Sequence, residues 1–255
     1  MQNVSVIIPT FNRAHLIEES VSSVLAQTLK PTEVIVVDDG SNDKTWDILK
    51  NLGFSLSGSQ ENTLRYLYKE NGGVSSARNV GIELSSSEYV ALLDSDDQWK
   101  PTKLEAQLSS LERENFSCRV SHTDEIWIRN GIRVNQHKKH SKAGGDLFEK
   151  CLKMCCISPS SALIHRSVFD DLGSYDEKLK ACEDYDFWLR YCAFEKTHFL
   201  NEPLTIKNGG HSDQLSQAYW GMDRFRIYSL EKLLQNRKLT RSKYQLALTE
   251  LLRKL

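Results

Sequence analysis

The sequence predicts an α/β fold with a mostly parallel central sheet flanked by helices, and three observations predict it. Short apolar, largely β-branched runs occur without polar alternation at residues 4–8 (VSVII), 34–37 (VIVV) and 89–93 (YVALL), as strands buried on both faces of a parallel sheet do. Between them apolar residues return at helical spacing, the alternation of a doubly wound sheet. Each run also ends abruptly in polar residues: Pro9, Thr10, Phe11 and Asn12 after the first, Asp38 to Ser41 after the second, Asp94 to Asp97 after the third. In a sheet whose strands run the same way, these clusters land on one edge, just outside the carboxyl ends of the strands, where open α/β sheets bind ligands.

Taken in order, Leu16, Ile17, Val21, Val24 and Leu25 mark a helix after the first strand, and Lys30-Pro31 ends it. The second strand passes through Asp39-Gly40-Ser41 into a helix over about 44–52, with Ser41, Asn42 or Asp43 as candidate caps. Residues 55–62 read as a Ser/Gly/Asn-rich loop, 64–68 as a strand and 73–84 as a helix. Lys100-Pro101 opens another helix with Leu104, Leu108 and Leu111 on its inner face. Beyond it the pattern loosens. Residues 119–133 suggest a small antiparallel hairpin, 136–145 a polar, basic loop, 146–154 a helix, 161–164 a short strand and 182–194 a helix. From residue 215 onward the chain reads as C-terminal helices.

Bulk properties narrow the function classes. With Lys+Arg 33 against Asp+Glu 34 over 255 residues, no global basic field exists to attract nucleic acid. Every apolar stretch is far shorter than the roughly 20 residues of a membrane-spanning helix. Met1 leads directly into a strand without the regions of a signal peptide, so the expected location is cytoplasmic, with a peripheral position at the inner membrane face as an extension. Cys118, Cys151, Cys155, Cys156, Cys182 and Cys192 form no CxxC pair and read as free thiols acting as small core hydrophobes.

The acidic cluster carries the chemistry. Three carboxylates in four positions at a strand end repel one another unless a cation neutralises them, and a divalent metal carrying a diphosphate fits that need. Neither GxGxxG nor GxxxxGK[ST] nor GxSxG occurs, which removes the phosphate loops of dinucleotide enzymes and P-loop hydrolases and the serine-hydrolase elbow.

VSVIIPTFNR, then VIVVDDGS, then ENGGVSSARNVGI, then YVALLDSDDQW, in that order and spacing, closely resemble the inverting family-2 glycosyltransferases of the GT-A fold. Those enzymes move a sugar from a nucleotide diphosphate to an acceptor hydroxyl. The resemblance is dense over the first hundred residues and returns at two later points. It implies a single GT-A catalytic domain over 1–214, with a nucleotide-binding half to about residue 100 and an acceptor half beyond, followed by a helical extension over 215–255.

Carried over residue by residue, the resemblance implies that Pro9, Thr10, Phe11 and Asn12 line the nucleoside pocket and that Asp39 accepts a hydrogen bond from the base imide, which suits uracil or thymine. Asp38 and Asp39 have an alternative reading as a turn and a helix cap. Arg78 would pair with the diphosphate near a helix N-terminus, or else form an internal salt bridge with a strand-end Asp. Asp94 and Ser95 would serve the nucleotide, and Asp96 would ligate Mg²⁺ or Mn²⁺, with Asp97 supporting it. In ACEDYDFWLR (181–190) the match makes Asp184 the general base. His211, behind Gly209-Gly210, would complete the metal shell or touch the diphosphate.

Two basic segments stay open in meaning. Lys138, Lys139 and Lys142 with His137 and His140 could grip an anionic acceptor or form a solvated loop. The last segment, with Arg237, Lys238, Arg241, Lys243, Arg253 and Lys254 beside Leu246, Leu248, Leu251 and Leu252, could rest on an anionic membrane, or pack on the domain or on a second copy in a homodimer. The expected function is a metal-dependent inverting glycosyltransferase using a UDP-sugar and a glycan or lipid-linked acceptor in surface polysaccharide synthesis. A GDP-sugar:polyprenyl-phosphate transferase and a non-catalytic nucleotide- or sugar-binding module are the alternatives.

Overall fold

The computed structural model describes residues 3–56, 63–210 and 219–255. Strands β1 (Val4–Thr10) and β2 (Glu33–Asp38) are buried at every position, as unbroken β-branched runs require. Alternate residues serve opposite faces: Val6 and Ile8 join one apolar cluster with Val34 and Val36, while Ile7 joins the other with Val90 and Leu92. Helices α1 (Ile17–Leu25), α2 (Thr45–Asn51), α3 (Val74–Leu84) and α4 (Lys103–Arg113) cover these faces. Strands β3 (Ser55–Leu56), β4 (Leu64–Tyr68) and β5 (Tyr89–Leu92) complete the first half. The predicted loop at 55–62 therefore begins with a two-residue strand paired to β4, and 57–62 lie outside the described residues.

The second half adds β6 (Gln98–Trp99), β7 (Val120–Arg129), β8 (Ile132–Val134), α5 (Phe148–Lys153), β9 (Ala162–His165), α6 (Ser167–Leu172), α7 (Glu183–Cys192), β10 (His198–Gly209), α8 (Asp223–Leu234) and α9 (Arg241–Lys254). The sheet order is β3-β4-β2-β1-β5-β9-β7-β10-β6, with β8 on β7. Strands β1, β2, β3, β4 and β5 pair in parallel, whereas β9 lies antiparallel to both β5 and β7, so β7 and its parallel neighbour β10 point the same way as β5. The predicted hairpin is β7 and β8, joined through Asn130 and Gly131, both at positive φ, as a tight hairpin turn needs.

Strands β6 and β10 and helix α6 occupy stretches for which no element is expected. The expected C-terminal helices are α8 and α9, with residues 219–222 before α8 and 235–240 between the two. Leu230, Leu233, Ala247 and Leu251 bury these helices in the same cluster as α5 and α7.

One glycine sets how closely a helix approaches the sheet. A Cβ on Gly81 of α3 would sit 2.4 Å from Ile7 Cγ2 on β1. Gly81→Val is accordingly expected to lower unfolding free energy by about 1–3 kcal/mol through overpacking, read as a lower urea midpoint with unchanged m value. A midpoint at or above that of the parent would show that α3 can shift without cost.

Candidate active site

The register of the parallel strands explains why the polar clusters meet. Thr10 is level with Asp38 across β1 and β2, and the Leu93 amide donates to the Ile7 carbonyl at 3.0 Å, so the chain leaves β5 for Asp94 beside the end of β1. A cleft of about 1010 Å³ opens there, and Pro9, Thr10, Phe11, Asn12, Asp39, Arg78, Asp94, Ser95, Asp96 and Asp184 all line it. His211 lies outside the described residues.

On the β1–β2 side, Asn12 adopts a left-handed conformation (φ 52°), which Asn tolerates better than most residues. Its amide donates to Ser41 Oγ at 2.7 Å and its side-chain oxygen accepts from the Asn42 amide at 2.9 Å, tying the two loops together. Asp38 takes the turn role: its carboxylate accepts from the Ser41 amide at 2.8 Å and the Tyr66 hydroxyl at 2.7 Å. Asp39 instead reaches to the start of α3, accepting from the amides of Gly72 (2.9 Å) and Gly73 (2.7 Å) and from Lys69 (2.6 Å). The anion seated at that helix entrance is thus Asp39 itself. Phe11 remains 45% exposed in the cleft wall, an apolar ring facing solvent.

Arg78 follows the salt-bridge reading. Its guanidinium is 3% exposed and spans two carboxylates, Asp94 Oδ1 and Glu183 Oε1, each at 2.6 Å, with the Tyr175 ring 5.2 Å away. Glu183 enters as a site residue the sequence reading left without a role. Burial raises Asp94, but Arg78 and Lys207 outweigh it and hold the carboxyl below the usual range. Burial, reinforced by the adjacent Asp184 charge, keeps Glu183 above the usual range despite the same guanidinium.

The acidic loop is braced from below and from the side. The Ser20 hydroxyl of α1 lies 2.8 Å from the Ser95 carbonyl and 2.7 Å from that of Asp97. From the end of β10, the Asn208 amide donates to Asp97 Oδ1 (3.1 Å) and its side chain to the Asp96 carbonyl (2.8 Å). Lys207 places Nζ 3.8 Å from Asp97 Oδ2. Burial disfavours its charge, yet the surrounding Asp97, Glu125, Asp94 and Asp96 hold the ammonium well above its usual range. Burial, with the charges of Asp96 and Asp94, pushes Asp97 up to about 8 against the pull of Lys207.

Burial and then Asp94 also raise Asp96, whose carboxylate has no side-chain hydrogen bond among the described residues. No group of three or more His, Cys, Asp or Glu is arranged to cage a metal among those residues. A single under-neutralised carboxylate at the cleft fits a hard cation that takes its remaining oxygens from phosphates and water.

Helix α7 presents Asp184 to the other side of the cleft. Cys182, the residue immediately before the helix, holds φ at +61°, a left-handed conformation that is uncommon for Cys. Asp184 Oδ1 accepts from the Tyr185 amide at 2.7 Å and Oδ2 from the Cys155 thiol at 3.0 Å. Cys155 follows α5 and, like the buried Cys182, lines the cleft; Cys155 and Cys118 are only half-buried, unlike Cys151, Cys156, Cys182 and Cys192, so the reading of every cysteine as core is corrected at these two positions. In the basic loop, Lys142 is held by Glu125 at 3.0 Å and donates to the Cys156 carbonyl at 3.1 Å, while Lys138 and Lys139 are exposed.

The fold is an α/β glycosyltransferase-type fold with its cleft at the carboxyl edge of the sheet, and the chain belongs to glycosyl transferase family 2, whose model matches residues 5–173. It is 35% identical over 219 residues to an uncharacterized glycosyltransferase of Rickettsia typhi, covering 84% of this chain and 66% of the relative. It thus spans no more than about two thirds of that relative's length. A second relative, the Escherichia coli UDP-Glc:alpha-D-GlcNAc-diphosphoundecaprenol beta-1,3-glucosyltransferase WfgD, is 34% identical over 186 residues, 73% of this chain and 68% of the relative. Among solved structures, S. aureus TarS 1-349 in complex with UDP-GlcNAc superposes with a TM-score of 0.77 at 23% identity, over 99% of this chain and 72% of that one, a likeness of fold. No helix among the described residues is long and apolar enough to cross a membrane.

Proposed function

We propose that the protein transfers a hexosyl group from a UDP-sugar, with inversion, to a hydroxyl of a lipid-linked saccharide in surface polysaccharide assembly. The observation that carries this reading is that Asp96 and Asp184 line one cleft with the nucleotide-loop residues, while Arg78 ties the strand end before one to the helix start before the other. Two E. coli relatives that carry UDP-Glc and a diphosphoundecaprenol acceptor in their names support the substrate classes.

In this reading Phe11 offers its ring to the base, and Asp39, held by the Gly72 and Gly73 amides, presents a fixed carboxylate edge to the imide N–H. Asp96 holds Mg²⁺ or Mn²⁺. When bound, that ion offsets the negative charge that grows on the departing diphosphate. Asp184 removes the proton of the acceptor hydroxyl as its oxygen bonds to the anomeric carbon. The bond from that carbon to the diphosphate oxygen breaks, and its electron pair leaves with UDP. A role for His211 in this site belongs to the same proposal.

Thermal shifts test the donor. UDP with Mn²⁺ is expected to raise Tm, because a ligand at 100 times its Kd adds about 2.7 kcal/mol, and GDP is expected to give no shift. Asp96→Asn is expected to remove the Mn²⁺-dependent part of the UDP shift. Stabilisation by GDP alone, or by no nucleotide in the presence of metal, would overturn the assignment.

A further inference from the structure

We propose that Cys155 is a positioning residue for Asp184: its thiol hydrogen-bonds the carboxylate while it is ionised and turns to a backbone carbonyl once the carboxylate has taken up a proton. The inference rests on the proposed role of Asp184 as base. Cys155 Sγ lies 3.0 Å from Asp184 Oδ2 and 3.3 Å from the Ile157 carbonyl oxygen. A thiol carries one hydrogen, so these two contacts are alternatives.

The sulfur sits between two acceptors, one permanent and one whose protonation changes in the reaction. With Asp184 ionised, S–H points to Oδ2 and, together with the Tyr185 amide on Oδ1, sets the plane of the carboxylate. When Asp184 accepts the acceptor's proton, the thiol hydrogen rotates to Ile157, and the protonated carboxyl meets a sulfur lone pair instead of a second donor. No backbone movement is needed. The weakness of a thiol donor matters here, since a strong donor would hold the ionised form and weaken the base.

The surroundings keep the thiol in the required state. Burial and the neighbouring Asp184 charge push Cys155 well above the usual thiol range, so it stays a donor and not a competing anion. The other groups acting on this pair are Glu183 with its Arg78 partner, Cys182 and Tyr175, both of which sense the Asp184 charge, Cys156 and Lys142, both of which act on Cys155, and Arg226 in the cleft wall. None of them is a described hydrogen-bond partner of Oδ2, which leaves Cys155 in that position among the described residues.

The test is the pH dependence of kcat/KM for the parent, Cys155→Ala, Cys155→Ser and Asp184→Asn, with UDP binding by calorimetry on each. Cys155→Ala is expected to move the acid limb up by about 0.5–1 pH unit, since the ionised base loses a donor. Cys155→Ser, a stronger donor, is expected to move it down with a lower plateau kcat, and UDP affinity is expected to stay within twofold in both. Asp184→Asn is expected to bind UDP and lose transfer. If Asp184→Asn is inactive while both Cys155 limbs superimpose on the parent, the positioning role alone is overturned. If Asp184→Asn transfers normally, the base reading fails and the proposal fails with it.

Discussion

Replacing Arg78 with methionine is expected to destabilise the protein by about 3–5 kcal/mol at neutral pH, the usual cost of stripping the partner from a buried charge. The guanidinium is 3% exposed and holds Asp94 and Glu183 at 2.6 Å each, so its loss leaves two carboxylates with no cation between them, and Asp184 adjoins the second. The cost depends on pH, and its sign follows from the groups involved. Asp94 lies below its usual range in the fold. It therefore contributes stability above the unfolded value of about 3.9, and that stability is lost as pH falls through the lower folded value. In the variant both carboxylates protonate at higher pH and shed their repulsion, so the difference from the parent shrinks toward pH 4. Arg78→Lys should fall between the two, because an ammonium is a point charge and lacks the planar fork that reaches both carboxylates. Urea melts at pH 7.5 and 5 check this. A methionine variant within 1 kcal/mol of the parent at the higher pH would mean that water replaces the guanidinium without penalty.

That residue also marks how far the site was legible in the sequence. Strands β1, β2 and β5 announce themselves because burial on both faces demands unbroken β-branched runs, and their shared direction is enough to place Thr10, Asp39 and Asp96 together. Strand β10 is invisible by the same rule. Its HFLNEPLTIKNG has Pro203 in the middle, where the pairing with β7 shifts register, and half-buried polar residues follow. Missing β10 meant missing Lys207 and Asn208, which neutralise and brace the acidic loop. Arg78 could be flagged from its position, but only the spatial meeting of α3 with α7 shows that Glu183, a neighbour of the expected base, is its second partner. The deviation at Cys155 has a similar origin. Helix α5 ends at Lys153, so Cys155 is released from the helical face that buries Cys151.

The electrostatics of the cleft edge form one linked system. Asp94 is committed to Arg78, Asp97 to Asn208 and Lys207, and Asp39 to the α3 entrance. Each carboxylate that could compete with Asp96 is thereby tied to a structural partner. With Glu177 held by Asn79, Asp96 and Asp184 are left on two sides of the cleft, the arrangement on which the proposed division between holding a diphosphate and accepting a proton rests.

Lys103→Met is expected to stabilise the protein at neutral pH and to destabilise it above about pH 10. Lys103, in the first turn of α4, is fully buried, and burial pushes its ammonium well below the usual lysine range. Among the described residues no carboxylate pairs with it: Nζ donates to Gln107 Oε1 at 2.8 Å and lies 4.1 Å from the Trp99 ring centroid. The unfolded chain binds a proton at this side chain below about pH 10.4, and the fold does not until its own lower value is reached. Between those values the unfolded state holds the extra proton, so stability rises with pH by about 1.4 kcal/mol per unit for this group, and the penalty is largest at the acid end of that window. Methionine fills the same space without a titrating group and removes the slope. It also orphans Gln107 Oε1, at about 1–3 kcal/mol, which is the part that shows once the parent's lysine is neutral in both states. Denaturation at pH 7, 8.5 and 10 should therefore give stability differences that decline and change sign. A constant difference across that range would show that Lys103 enters the core charged.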